Sequence, residues 1–184
     1  CIEDVVTDKK RKEEGVVMEN LQIFHINVNC SNLDRSLAFY KAIGFKELLD
    51  FNKKTNALAT KKVDEKKAPV EPGLGPALNL PEESRGRARL LVLGDDPRAT
   101  RLDLIEWIEP KAEGTPYPHL AHLGIARICF KVQDAWQAYE EMKARGVEPF
   151  TEPHDTGLGG TTHTLFCSYA PDGPVTEVMA LIQC

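Results

Sequence analysis

No uninterrupted apolar stretch in this chain approaches the roughly 18 residues that a membrane-spanning helix requires, so a bilayer span is not expected. Cysteine is sparse and unpaired in pattern. Cys1, Cys30, Cys129, Cys167 and Cys184 are an odd number with no C-x-x-C spacing, which argues against a disulfide framework and against a cysteine-based zinc site. Positive charge is also in deficit, with 23 Lys and Arg against 28 Asp and Glu for a net charge of −5. An extended phosphate-binding surface needs clustered cations, and the basic stretch Lys9–Lys12 and the lysine pairs at 53–54, 61–62 and 66–67 lie beside carboxylates. Nucleic acid is therefore not an expected partner. The first 17 residues lack the apolar core and cleavage site of a secretory leader, so they read as a tail outside the fold, and a reducing cytoplasm is the expected location.

What is present is an ordinary globular composition over 184 residues, long enough to bury a sizeable core without staples. An internal repeat organises it. Displacing the chain by 102 residues lays Phe24–Phe45 on Ala126–Val147 without a gap. Leu33, Leu37 and Tyr40 then meet Ala135, Tyr139 and Met142, an i, i+4, i+7 stripe that predicts one amphipathic helix in each copy. Asn32 and Asp134 stand as matched N-caps, and Gly44 and Gly146 as matched C-terminal stops. Each helix is preceded by a strand with two unlike faces: Phe24, Ile26 and Val28 against His25, Asn27 and Asn29, then Ala126, Ile128 and Phe130 against Arg127, Cys129 and Lys131.

Further strands are expected at Phe45–Phe51, Ala88–Leu93 and Asp103–Ile108, and at Val147–Thr151, His163–Tyr169 and Val175–Ile182. The fold class is thus α+β, with two βαβββ modules curling a mixed sheet around a cleft. The first module spans 18–109 with a polar insertion at 52–87, a linker follows at 110–119, and the second module occupies 120–184. Leu104-Ile105-Glu106-Trp107 also matches Val175-Thr176-Glu177-Val178, so each closing strand carries one glutamate among apolar residues. A carboxylate there loses water and needs a partner, and the repeat offers His25 and Arg127.

With these segments in order, the chain resembles the vicinal oxygen chelate (VOC) superfamily of glyoxalases, bleomycin-resistance proteins, methylmalonyl-CoA epimerases, fosfomycin-resistance enzymes and extradiol dioxygenases. The resemblance rests on Phe24-His25-Ile26-Asn27-Val28 with Ser36-Leu37-Ala38-Phe39-Tyr40, on Leu104-Ile105-Glu106, and on Pro171-Asp172-Gly173 leading to Glu177. It implies a glyoxalase fold whose cleft often holds one divalent ion through a residue from the first and last strand of each module. Carried over by position, those sites are His25, Glu106, Arg127 and Glu177. Arg127 departs from the metal-binding pattern, because a guanidinium does not ligate a metal and its charge repels one. A cofactor-free cleft is therefore favoured, and a divalent ion, if bound, would use His25, Glu106 and Glu177.

Three functions stay open at this point. A lyase or isomerase moving a proton beside a carbonyl would use Glu106, Glu177 and His25 as catalytic groups, with Arg127, Asn27 and Cys129 binding a small oxygenated substrate. A metal-free binding or resistance protein would only sequester such a molecule. An extradiol-type dioxygenase would need iron on two His and a carboxylate, against which Arg127 counts. His163 is a secondary candidate, Gly157-Leu158-Gly159-Gly160 reads as a mobile cleft edge, and either a monomer or a homodimer is compatible.

Overall fold

A computed structural model describes residues 23–52, 74–96, 98–116, 119–121, 123–158 and 160–182. The tail assigned to 1–17 and most of the insertion lie outside the described residues. Among the described residues eight strands form two four-stranded sheets with the orders β1-β4-β3-β2 and β5-β8-β7-β6. In the first, β1 (His25–Asn29) runs parallel to β4 (Arg101–Glu109), while β3 (Arg85–Leu93) is antiparallel to both β4 and β2 (Phe45–Asp50). In the second, β5 (Arg127–Val132) runs parallel to β8 (Val175–Leu181), and β7 (Thr161–Tyr169) is antiparallel to β8 and to β6 (His154–Leu158). The two sheets are not closed into a barrel, and the architecture is the expected pair of βαβββ modules.

The repeat-matched helices form where their stripes place them. α1 (Leu33–Ala42) starts with the Asn32 side chain accepting from the Arg35 N–H at 3.0 Å. A second, short helix, α2 (Leu74–Ala77), lies within the insertion. α3 (Ala135–Ala144) starts with Asp134 accepting from the Gln137 N–H, also at 3.0 Å. Gly44 and Gly146, at φ +108° and +80°, take the left-handed turn that a side chain would resist after each repeat helix. Leu33 and Tyr40 pack on Val28, Leu91, Leu102 and Leu104, while Ala135, Tyr139 and Met142 pack on Phe166, Val178 and Ala180. Each sheet therefore buries one face under its helix and leaves the other open.

Two expected strand limits need correction. β3 begins at Arg85 rather than Ala88, inside the span assigned to the insertion, because Arg87 is drawn into the ladder by Glu106 opposite it. Val147–Thr151 is not a strand; only a single bridge joins Pro149 to Ser168. Pro149 and Pro153 lack the N–H groups a ladder needs, and the pairing passes to the polar His154–Leu158 segment at the sheet edge.

The modules meet through side chains of both repeats. Phe45 and Phe130 pack edge to face at 5.5 Å, and the Arg145 guanidinium donates to the Ala42 carbonyl at the end of α1. The turn between β7 and β8 docks on the start of α1, where Ser31 Oγ and Arg35 Nη2 donate to Asp172 Oδ1 at 2.6 and 2.7 Å. A Cβ on Gly173 would lie 3.0 Å from Val28, so a larger residue would push this turn away from β1.

Candidate functional site

The open face of the first sheet follows from strand alternation. Because Val28 on β1 and Leu102 and Leu104 on β4 are committed to the core, His25, Asn27 and Asn29 must face the other way, as must Asp103, Ile105 and Trp107. Parallel register sets Asn27 beside Asp103 and Asn29 beside Ile105. The Asn27 amide donates to the Asp103 carbonyl at 3.2 Å and to its Oδ2 at 3.3 Å. Trp107 Nε1–H donates to Asn29 Oδ1 at 3.0 Å. Burial raises the Asp103 pKa above the ordinary aspartate value, against the opposing pull of His25 and the Asn27 hydrogen bond.

This face floors a cavity of about 890 Å³ lined by His25, Asn27, Asp103, Ile105 and Trp107. Its walls come from Leu78 and Leu80 after α2, the linker at 110–116, and Asp172–Pro174 between the last two strands. The arrangement provides one carboxylate poised to accept a proton, one imidazole beside it, an amide donor and an apolar far end.

Arg127, Cys129 and Glu177 come together on the second sheet, outside the lining of that cavity. Arg127 Nε lies 2.6 Å from Glu177 Oε2, with the guanidinium half-exposed at 52% and the carboxylate mostly buried at 12%. Glu177 is flanked in register by Cys129 on β5 and Cys167 on β7. Desolvation and the adjacent Glu177 carboxylate push the Cys129 thiol up to about 12, which keeps it protonated and a poor nucleophile. His163 lies on β7 with Nε2 3.4 Å from Thr161 Oγ1; Gly157 falls within β6, and Gly160 stands at φ +82° directly before β7.

Glu106 does not join His25, and this corrects the expected site. It shares the helix-facing side of β4 with Leu102 and Leu104, where its Oε2 accepts from the Leu33 N–H at 3.0 Å and from Arg87 Nε at 3.1 Å. It is a capping and charge-pairing group for α1, and Arg87, whose pKa is raised first by that hydrogen bond, also pairs with Asp34. The carboxylate equivalent to Glu177 is Asp103, three residues earlier, since Asn27 pairs with Asp103 as its repeat counterpart Cys129 pairs with Glu177. Alternation carried the signal: once Leu104 is assigned to the core, only odd-numbered positions of β4 reach the open face.

The donors present do not fit a tightly held divalent ion. Among the described residues at the cavity His25 supplies one nitrogen beside the carboxylates of Asp103, Glu113 and Asp172, of which Asp172 is held by Ser31 and Arg35, and Glu177 is engaged by a guanidinium on the other sheet. Among the described residues no three His, Cys, Asp or Glu side chains converge on a point where an ion could sit. His25 is the sole histidine among the described residues lining the cavity. No described helix is long and apolar enough to cross a membrane.

Comparison with known proteins agrees with this fold. A model of the Glyoxalase/Bleomycin resistance protein/Dioxygenase superfamily matches residues 22–178. Among solved structures, a glyoxalase family protein from Bacillus cereus superposes with a TM-score of 0.65 at 14% identity, covering 91% of this chain and 100% of its own. A genomically encoded fosfomycin resistance protein from Listeria monocytogenes, solved as a mutant with Mn(II) and a dihydroxypropylphosphonic acid, gives 0.53 at 16% identity, with coverages of 89% and 93%. The trypanothione-dependent glyoxalase I of Leishmania major gives 0.51 at 18%, with coverages of 88% and 87%. No curated protein sequence matches the chain.

Proposed function

The chain belongs to the Glyoxalase/Bleomycin resistance protein/Dioxygenase superfamily, and from that premise we propose that it is a lyase or isomerase which moves a proton beside the carbonyl of a small oxygenated molecule. The observation that carries this reading is Asp103, a carboxylate on the cavity floor whose proton affinity is raised by burial and which lies beside His25. A base works best when its pKa is lifted toward the working pH. Asp103 takes the proton from the carbon next to the carbonyl, and the C–H electron pair becomes the C=C bond of an enolate. The carbonyl π electrons move to oxygen, where the His25 imidazole N–H donates. For a substrate with a hydroxyl on the carbon that loses the proton, His25 passes the hydroxyl proton to the enolate oxygen and Asp103 returns its proton to the former carbonyl carbon. The oxygen that gave up its proton becomes the new carbonyl, so no external oxidant or reductant is consumed. The Asn27 amide holds one carboxylate oxygen and leaves the other for the substrate.

The donor set favours a reaction run by these side chains without a bound cofactor. Sequestration without chemistry is the second reading, supported by the Asn27 hydrogen bonds that already occupy part of Asp103. Proton NMR in D₂O separates the two. Wild-type protein incubated with hydroxyacetone and related hydroxy- and oxo-carbonyl compounds exchanges the proton next to the carbonyl for deuterium, and Asp103→Asn loses at least about a hundredfold of that rate. Ligand that binds without exchange would leave sequestration as the function.

A further inference from the structure

We propose that the cavity takes an uncharged carbonyl compound bearing a planar, ring-sized apolar group, with the Trp107 indole as the platform for that ring. This names the substrate class of the site above and rests on that reading. Trp107 stands four residues after Asp103 on the same face of β4, about 13 Å along the strand at roughly 3.3 Å per residue. That distance accommodates a carbonyl group at the acid and a ring beyond it. The indole N–H is already satisfied by Asn29 Oδ1 at 3.0 Å, which fixes the ring plane and leaves its face for apolar contact. Leu78 and Leu80 line the same cavity, supplied by the insertion that the second module lacks. The position on β8 equivalent to Trp107 is Leu181, so the aromatic platform is a feature of the first module alone.

Charge sets the second half of the specificity. Asp103 and Glu113 line the cavity with Lys111 and, taken as neutral, His25, while the Asp172 carboxylate is matched by Arg35 at 2.7 Å. The walls therefore retain an excess of negative charge, which disfavours a carboxylate or phosphate ligand. The Arg127 guanidinium, the group best suited to an anion, is paired with Glu177 away from this lining.

Calorimetric titration with three matched probes tests the inference: 2-hydroxyacetophenone, hydroxyacetone, which lacks the ring, and benzoylformate, which keeps the ring and has a carboxylate in place of the hydroxymethyl group. The ketone with the ring should bind at least about tenfold more tightly than either of the others, a margin that one aromatic contact supplies. Trp107→Leu should reduce the preference over hydroxyacetone to about threefold or less, and Trp107→Phe should restore it. Equal affinities for the two ketones, a preference for benzoylformate, a ring preference that survives Trp107→Leu, or binding of none of the three would overturn it. Repeating the ketone pair with Asp103→Asn keeps the two claims apart. A ring preference retained after loss of proton exchange supports the platform whatever the chemistry, whereas exchange with no ring preference defeats the platform and leaves proton transfer standing.

Discussion

Replacing Glu106 by alanine should weaken the fold rather than the chemistry, and the structure gives the size of the effect. The change removes the acceptor for the Leu33 N–H at the start of α1, a capping contact worth about 1 kcal/mol. It also removes the partner of Arg87, whose side chain is 34% exposed and keeps its pair with Asp34. A charge-assisted contact is worth about 1.5–3 kcal/mol when buried, and solvent and the second carboxylate reduce it here to about 1–2 kcal/mol. The total is about 2–3 kcal/mol, or a fall in Tm of roughly 4–12 °C for a chain of this size. Glu106→Gln keeps an acceptor oxygen for the helix and should cost about half as much. Thermal and urea unfolding followed by circular dichroism measure both. An unchanged Tm in Glu106→Ala, or a folded variant that loses proton exchange more than about tenfold at full occupancy of the native state, would refute the structural role and return Glu106 to the active site.

The remaining predictions concern the cavity wall and the module contacts. A Cβ at Gly75 would stand 2.5 Å from the Pro81 carbonyl oxygen, so Gly75→Ala should displace the Leu78–Leu80 wall and weaken 2-hydroxyacetophenone binding several-fold, with a stability loss of about 1–2 kcal/mol. Calorimetry beside a thermal melt checks it. Burial opposes ionisation of Asp172, but hydrogen bonds from Ser31 and Arg35 outweigh it and lower the pKa, so its contribution is present above the ordinary aspartate value and is lost as pH falls through the folded one. Asp172→Asn should therefore be less stable than wild type by about 1 kcal/mol at pH 7, with the gap closing below the ordinary aspartate pKa, as measured by urea unfolding across pH. Arg127→Ala strips the counter-ion from a mostly buried Glu177 and should cost about 1–2 kcal/mol while leaving 2-hydroxyacetophenone affinity unchanged, because the half-exposed guanidinium makes the pair weaker than a fully buried one.

The architecture was legible because both copies of the repeat carry the same information in the same order. Asn32 and Asp134 cap, Gly44 and Gly146 stop, and the stripes between them face one core each. The open-face residues of β1 and β5 were legible for the same reason, since alternation around Val28 and Phe130 leaves His25, Asn27, Arg127 and Cys129 outside the core. Glu106 was misread because a glutamate in an apolar strand resembles Glu177 by neighbours, although parity puts it with Leu104. Its true partner, Arg87, lies on a strand whose expected start, Ala88, falls three residues too late. The contribution of Trp107, Leu78 and Leu80 was not legible at all: a cavity wall drawn from an insertion depends on where that insertion folds back. The polar edge strand β6 escaped because its pairing is supplied by β7 and not by any pattern of its own.

The central claim is that Asp103, and not Glu106, is the carboxylate that moves the proton. Its most direct test is the pH dependence of solvent deuterium exchange into a bound ketone, measured by NMR for wild type, Asp103→Asn and Glu106→Gln. Because burial raises the Asp103 pKa, the wild-type rate should rise with pH through an acid limb lying above the ordinary aspartate range. Asp103→Asn should lose that limb and at least about a hundredfold of the rate, while Glu106→Gln keeps both within about threefold. Exchange that persists in Asp103→Asn and disappears in folded Glu106→Gln would contradict the account.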